Sequence, residues 1–131
     1  MSLSDSDRIW NRATLAERRA GLAKGDKALA ALLRAHGLSM NGGVLHAAEC
    51  LTNEDLEAAI AGYEFFGLAQ VGSLLRRAKQ LLKAGMDLES FERSLDAEYA
   101  VLIPSDLSLA EAFERHLRAN PSDFAPVRGA E

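Results

Sequence analysis

The chain has 131 residues, 48% of them hydrophobic and 26% charged, enough for one domain with a real core and too apolar for bulk disorder. Fifteen basic against nineteen acidic residues leave a net charge of −4, which argues against a nucleic-acid binder that works through overall charge. The apolar runs are short and broken by charge or glycine, so none could span a bilayer as a helix. Cys50, the single cysteine, excludes an internal disulfide and fits a reducing, cytoplasmic compartment.

Few residues are β-branched and no run alternates with a period of two, so the predicted fold is all-α. The expectation is one compact, bundle-like domain of six or seven helices over residues 1–131, with a short terminal arm from about residue 119. The opening "MSLSDSDRIW" has acids where a secretory signal places basic and apolar residues, so none is expected there. Ser4 or Ser6 is the predicted cap of a first helix reaching to about Ala20, with Ile9, Ala13, Ala16 and Ala20 in one stripe and Trp10 beside them. Gly21 and Gly25 flank a predicted break. Asp26 then caps a second helix with Leu29, Leu32, Leu33 and His36 on its inner face, and Gly37 stops it.

A second break spans Ser39 to Gly43, within "SMNGGVLHAAEC". Asn41 is the expected cap of a short third helix from Val44 to Leu51, and Gly42 and Gly43 let the chain turn. Thr52 to Asp55 reads as a loose capping box for a fourth helix that turns Leu56, Ala59, Ile60 and Tyr63 inward. The fifth, Leu68 to Ala84, sets an apolar face (Val71, Leu74, Leu75, Ala78, Leu81, Leu82) against Arg76, Arg77, Lys79, Gln80 and Lys83. Gly72 inside it costs about 1 kcal/mol relative to alanine, which points to a close helix approach. Asp87 caps a sixth helix carrying Leu88, Phe91, Leu95, Tyr99 and Leu102, closed by Pro104. Ser105 or Ser108 starts a seventh with Leu109, Ala110, Phe113 and Leu117 inward, and the arm "NPSDFAPV" packs back through Phe124.

His46 and Cys50 are four apart, on one helical face, a spacing that can supply two ligands to zinc. His36 or Glu49 would have to complete such a site, and no second Cys or His pair exists to do it. The expected reading is therefore a small thiol packed beside a histidine, with no metal and no cofactor. A metal- or thiol-dependent enzyme built on His46, Glu49 and Cys50 is the alternative. His36 reads as a hydrogen-bonded core histidine, and His116 as structural near a helix end. No Ser-His-Asp motif, Walker loop or dinucleotide fingerprint is present, and the chain reads as non-catalytic.

Charge is distributed unevenly. Val71 to Met86 holds four basic residues and no acid; Asp87 to Glu114 holds eight acids and one base, Arg93. The candidate partner-binding surface is Glu89, Glu92, Asp96, Glu98, Asp106, Glu111 and Glu114. Glu89, Glu92 and Asp96 fall on one helical stripe, which can steer a basic partner.

Six segments carry a resemblance: "IWNRA", "MNGGVLHAAE", "AAIAGYEFFGL", "AQVGSLLRRAKQLL", "SFERSLDAEYAVL" and "AEAFERHLRANPSDF". Together, over roughly residues 9–124, they resemble a helical domain family of unknown general function typified by a DNA-mimic protein. The resemblance implies an all-helical fold, a tendency to dimerise and no established catalysis. For the mimic type it implies surface carboxylates that imitate DNA phosphates towards a DNA-binding protein. The expectation is a cytoplasmic protein-interaction domain that offers an acidic helix surface to a basic protein, with a possible homodimer and no direct nucleic-acid or membrane partner.

Overall fold

The computed structural model describes residues 4–15, 22–85 and 87–127. Among them all regular structure is helical: α1 (Asp5–Thr14), α2 (Lys24–Gly42), α3 (Val44–Cys50), α4 (Asn53–Phe65), α5 (Ala69–Ala84), α6 (Leu88–Leu102) and α7 (Asp106–Ala119), with a 3₁₀ turn over Pro121–Asp123. This is the all-α architecture of six or seven helices that the pattern predicts. Ser4 starts α1 by accepting a hydrogen bond from the Asp7 N–H, and Thr52 starts α4 by accepting one from Asp55 N–H, each at 3.1 Å. The Asp55 carboxylate turns to Arg34 of α2 at 3.5 Å rather than back to the cap. Gly85 ends α5 in the left-handed conformation, φ 65°.

The second helix departs from expectation at both ends. Gly25 is no break: it lies buried in the first turn of α2. Asp26 sits at the third helical position, and its carboxylate reaches back to the Ala23 N–H at 3.1 Å. Gly37 does not stop the helix, which runs five residues further to Gly42. Gly37 is solvent-exposed and crowded by nothing, so its cost is one of propensity, about 1 kcal/mol. Burial of the neighbouring His36 and Ser39 side chains holds the helix through it. Asn41 and Gly42 therefore belong to the last turn of α2, and Asn41 is not the cap of α3. The turn itself is Gly43 alone, at φ 98°. In α1, Ile9 and Ala13 are buried as expected, whereas Ala16, Ala20 and Gly21 lie outside the described residues.

The core sits between α2, α4 and α5, where Leu29, Leu32, Leu56, Ile60, Tyr63, Leu74 and Leu75 are wholly buried. Two glycines let these helices meet closely. A Cβ on Gly62 would come 2.5 Å from the Ala28 carbonyl oxygen of α2, and one on Gly72 would come 3.3 Å from Ile60 Cγ2 of α4. The Gly72 approach is the one its helix-breaking cost pointed to.

α7 docks by aromatic side chains. Phe113 is 2% exposed; its ring centroid lies 5.8 Å from Trp10, 6.3 Å from Phe66 and 5.5 Å from Phe124. The C-terminal arm folds back as its phenylalanine suggests, but an ionic clasp fixes it. Asp26, buried at 3% exposure, is paired with Arg12 of α1 and accepts from the Ala125 N–H at 2.7 Å. Arg12 also donates to the carbonyls of Ala125 and Pro126, at 3.1 and 3.4 Å. Nearby, Asp123 is bound by His116 at 2.8 Å and Lys24 at 3.4 Å. The His116 hydrogen bond, with Lys24 adding, holds the Asp123 carboxyl below the usual carboxylate range.

Candidate functional site

His36, read from its apolar stripe as a hydrogen-bonded core histidine, begins a continuous polar chain through the interior. Its Nε2 lies 2.7 Å from Asp106 Oδ1 at the start of α7. Its Nδ1 lies 2.7 Å from the Tyr99 hydroxyl of α6. That hydroxyl lies 2.8 Å from the Tyr63 hydroxyl of α4. His36, Tyr99 and Tyr63 are all buried, whereas the Asp106 side chain is 81% exposed. The chain thus runs from surface to core and joins four helices. Its helical register explains the alignment. His36 follows Leu29 and Leu32 on the inner face of α2, Tyr63 follows Leu56, Ala59 and Ile60 on that of α4, and Tyr99 follows Leu95 on that of α6. Sequence reading placed each residue inward but gave no sign that they meet.

Burial pushes the Tyr99 hydroxyl up to about 12; the Tyr63 hydrogen bond opposes this and the Asp106 charge adds to it. Burial chiefly, and Tyr99 beside it, raise Tyr63 well above the ordinary tyrosine range. Both shifts favour the neutral phenol in the fold, so this stability is complete below about pH 10, the unfolded value, and is lost as pH rises through about 12. Because these are the chain's only tyrosines, an alkaline titration followed by tyrosinate absorbance should show no ionisation near pH 10 in the folded protein. A normal tyrosine step with the helical signal intact would contradict the burial of the two hydroxyls.

The seven candidate acids divide into two groups. Asp96, Glu98 and Asp106 are engaged within the molecule. Asp96 Oδ1 accepts the Val44 N–H at 2.9 Å, capping α3 in place of Asn41. A Cβ on Gly43 would come 2.9 Å from Asp96 Oδ2, so the Gly43 turn leaves room for this cap from another helix. Glu98 pairs with Arg77 of α5, and Asp106 with His36. Glu89, Glu92 and Glu111 are exposed, Glu114 is half-buried, and none of the four is in an ion pair among the described residues. Replacing Asp96 by alanine should cost about 1 kcal/mol, the usual value of a helix cap. Urea unfolding would measure it, and an unchanged midpoint would show the cap to be idle.

Three of the four basic residues of α5 are also spoken for; Lys83 is in no ion pair among the described residues. Arg76 meets Glu64 and Lys79 meets Glu57, each at 3.3 Å across to α4, while Arg77 meets Glu98 of α6. The three pairs are at least partly exposed and worth little individually, but they neutralise most of a face that looks basic in sequence and leave Lys83 as its uncommitted charge.

His46 and Cys50 do share a face. Cys50 Sγ lies 3.6 Å from both ring nitrogens of His46, and Cys50 is exposed. His36 is tied into the buried chain, so it does not complete a metal site with them. Among the described residues no three His, Cys, Asp or Glu side chains come together as metal ligands. A cleft of about 460 Å³ opens between α5 and α6, lined by Arg77, Gln80, Leu81, Ala84, Phe91, Ser94 and Leu95. A second, also about 460 Å³, lies over Ala48, Leu51, Leu56, Leu82 and Leu88 with Glu49, Lys79 and Lys83 at its edge. Neither contains a member of the His36 chain. No helix among the described residues is long and apolar enough to cross a membrane.

No protein-family model, curated protein or solved structure matches this chain.

Proposed function

We propose that the chain is a non-catalytic interaction domain that meets a basic protein surface with the carboxylates of α6 and α7. One observation carries the reading: the acids and bases are unequally committed. Arg76, Arg77 and Lys79 of α5 are each neutralised by a glutamate on a neighbouring helix. Glu89, Glu92 and Glu111 project into solvent without such a partner among the described residues. The acids of α6 outnumber its one base, the exposed Arg93, so its surface field is net negative, the condition for steering a cationic partner. Asp96, Glu98 and Asp106 contribute less, because their carboxylates are used internally. A DNA-binding protein is one partner of this chemistry, in keeping with the family resemblance.

The test is charge reversal. Glu89→Lys with Glu92→Lys should leave stability within about 0.5 kcal/mol, since both side chains are exposed. At low salt it should weaken capture of basic partners by about tenfold or more, and added salt should weaken capture by the unaltered protein in the same way. Partners retained equally by both proteins, or indifferent to salt, would refute the proposal.

A further inference from the structure

Hydrogen-bond directions in the His36 chain are forced. The Asp106 carboxylate only accepts, so His36 Nε2 carries the proton across the 2.7 Å contact. A neutral imidazole has one N–H; Nδ1 therefore accepts, Tyr99 donates to it, and Tyr63 donates to Tyr99. In this state every proton in the chain has an acceptor. A second proton on the ring reverses the sequence. Nδ1 must then donate to the Tyr99 oxygen, and the two hydroxyls share a single remaining bond: whichever of Tyr99 and Tyr63 donates in it, the other O–H is left with no acceptor in the chain. Tyr63 is 0% and Tyr99 4% exposed, so water does not replace the lost bond at either.

From this we infer that the Asp106–His36–Tyr99–Tyr63 chain is an acid-sensitive latch: protonation of His36 loosens α6 and α7 from α2 and α4. The titratable groups facing the ring are Asp106 from α7 and Tyr99 from α6, with Tyr63 of α4 behind Tyr99. The charged pair that protonation creates with Asp106 does not offset the loss. Asp106 is 81% exposed, so solvent screens that pair, while the broken bond lies in the core. The latch controls the two helices that carry the proposed acidic surface, yet its chemistry does not depend on that surface binding anything.

Two measurements test it. Nitrogen-15 spectra of the histidines at about pH 7.5 should show His36 as the neutral Nε2–H tautomer. The Nδ1–H tautomer, or an imidazolium at that pH, overturns the inference. Hydrogen exchange, corrected for its intrinsic pH dependence, should then show protection in Leu95–Leu102 and Leu109–Phe113 falling about tenfold between about pH 7.5 and 5.5, relative to α4. His36→Gln, whose amide donates to Asp106 and accepts from Tyr99 at either pH, should abolish that fall. The variant keeps His46 and His116, so any contribution from them is common to both proteins and cancels. An equal fall in the variant, or none in the unaltered protein, overturns the latch. Should the variant fail to fold, the tautomer and exchange results on the unaltered protein decide alone.

Discussion

Asp26→Ala is expected to destabilise the fold by about 3–5 kcal/mol, the usual penalty for removing one member of a buried ion pair. The carboxylate binds the Arg12 guanidinium, the Ala23 N–H and the Ala125 N–H together. Its loss strands a cation whose side chain is 13% exposed, uncaps the first turn of α2 and frees the C-terminal arm. The charge itself is not what stabilises. Arg12→Met with Asp26→Leu should therefore be far less damaging than Asp26→Ala, because no isolated charge is left inside. Chemical denaturation of the single and double variants checks this. A single variant within about 1 kcal/mol of the unaltered protein would mean that water enters the clasp freely.

Gly62→Ala should cost about 2–3 kcal/mol, although alanine is the better helix former by about 1 kcal/mol. The new methyl would sit 2.5 Å from the Ala28 carbonyl oxygen and 3.3 Å from its carbon. Both are backbone atoms of a neighbouring helix, so no rotamer change can relieve the clash; α2 and α4 must separate. Gly37→Ala is the control. Its site is open and exposed, and there alanine should stabilise. A thermal melt of each variant gives the sign directly, and equal shifts would show that α2 and α4 are not packed at this distance.

Helix number, type and inner faces were legible because each helix repeats its apolar residues with the period of the helix. Val71, Leu74, Leu75 and Ala78 mark α5 so clearly that its core face could be named residue by residue. Breaks were less legible, since glycine has two opposite uses. Gly43 turns the chain at φ 98°, whereas Gly25, Gly37 and Gly42 continue a helix. Local sequence does not distinguish a glycine that bends from one that makes room for Phe124, as Gly25 does. The same limit hid the caps. Asn41 stood at the right place to cap α3, but the carboxylate that does so comes from Asp96, fifty-two positions beyond Val44.

The candidate site was legible in its parts. Clustering of acids in α6 and α7 could be counted, but which of them are already occupied depends on neighbours in space. Asp96, Glu98 and Asp106 look no different in sequence from Glu89, Glu92 and Glu111. His36, Tyr63 and Tyr99 each read as inward-facing residues, and only the packing of four helices aligns them within hydrogen-bonding distance.

The clasp also bears on how the protein is made. Synthesis proceeds from the N-terminus, and α1 and α2 emerge long before residue 125. The hydrogen bond from Ala125 to Asp26 closes over 99 positions. Until then Arg12 and Asp26 lack their partners in the arm, and the groove that Phe124 fills stands open. The early helices therefore wait in a hydrated, half-finished arrangement, and a chain cut short of Phe124 leaves the ribosome with apolar surface bare.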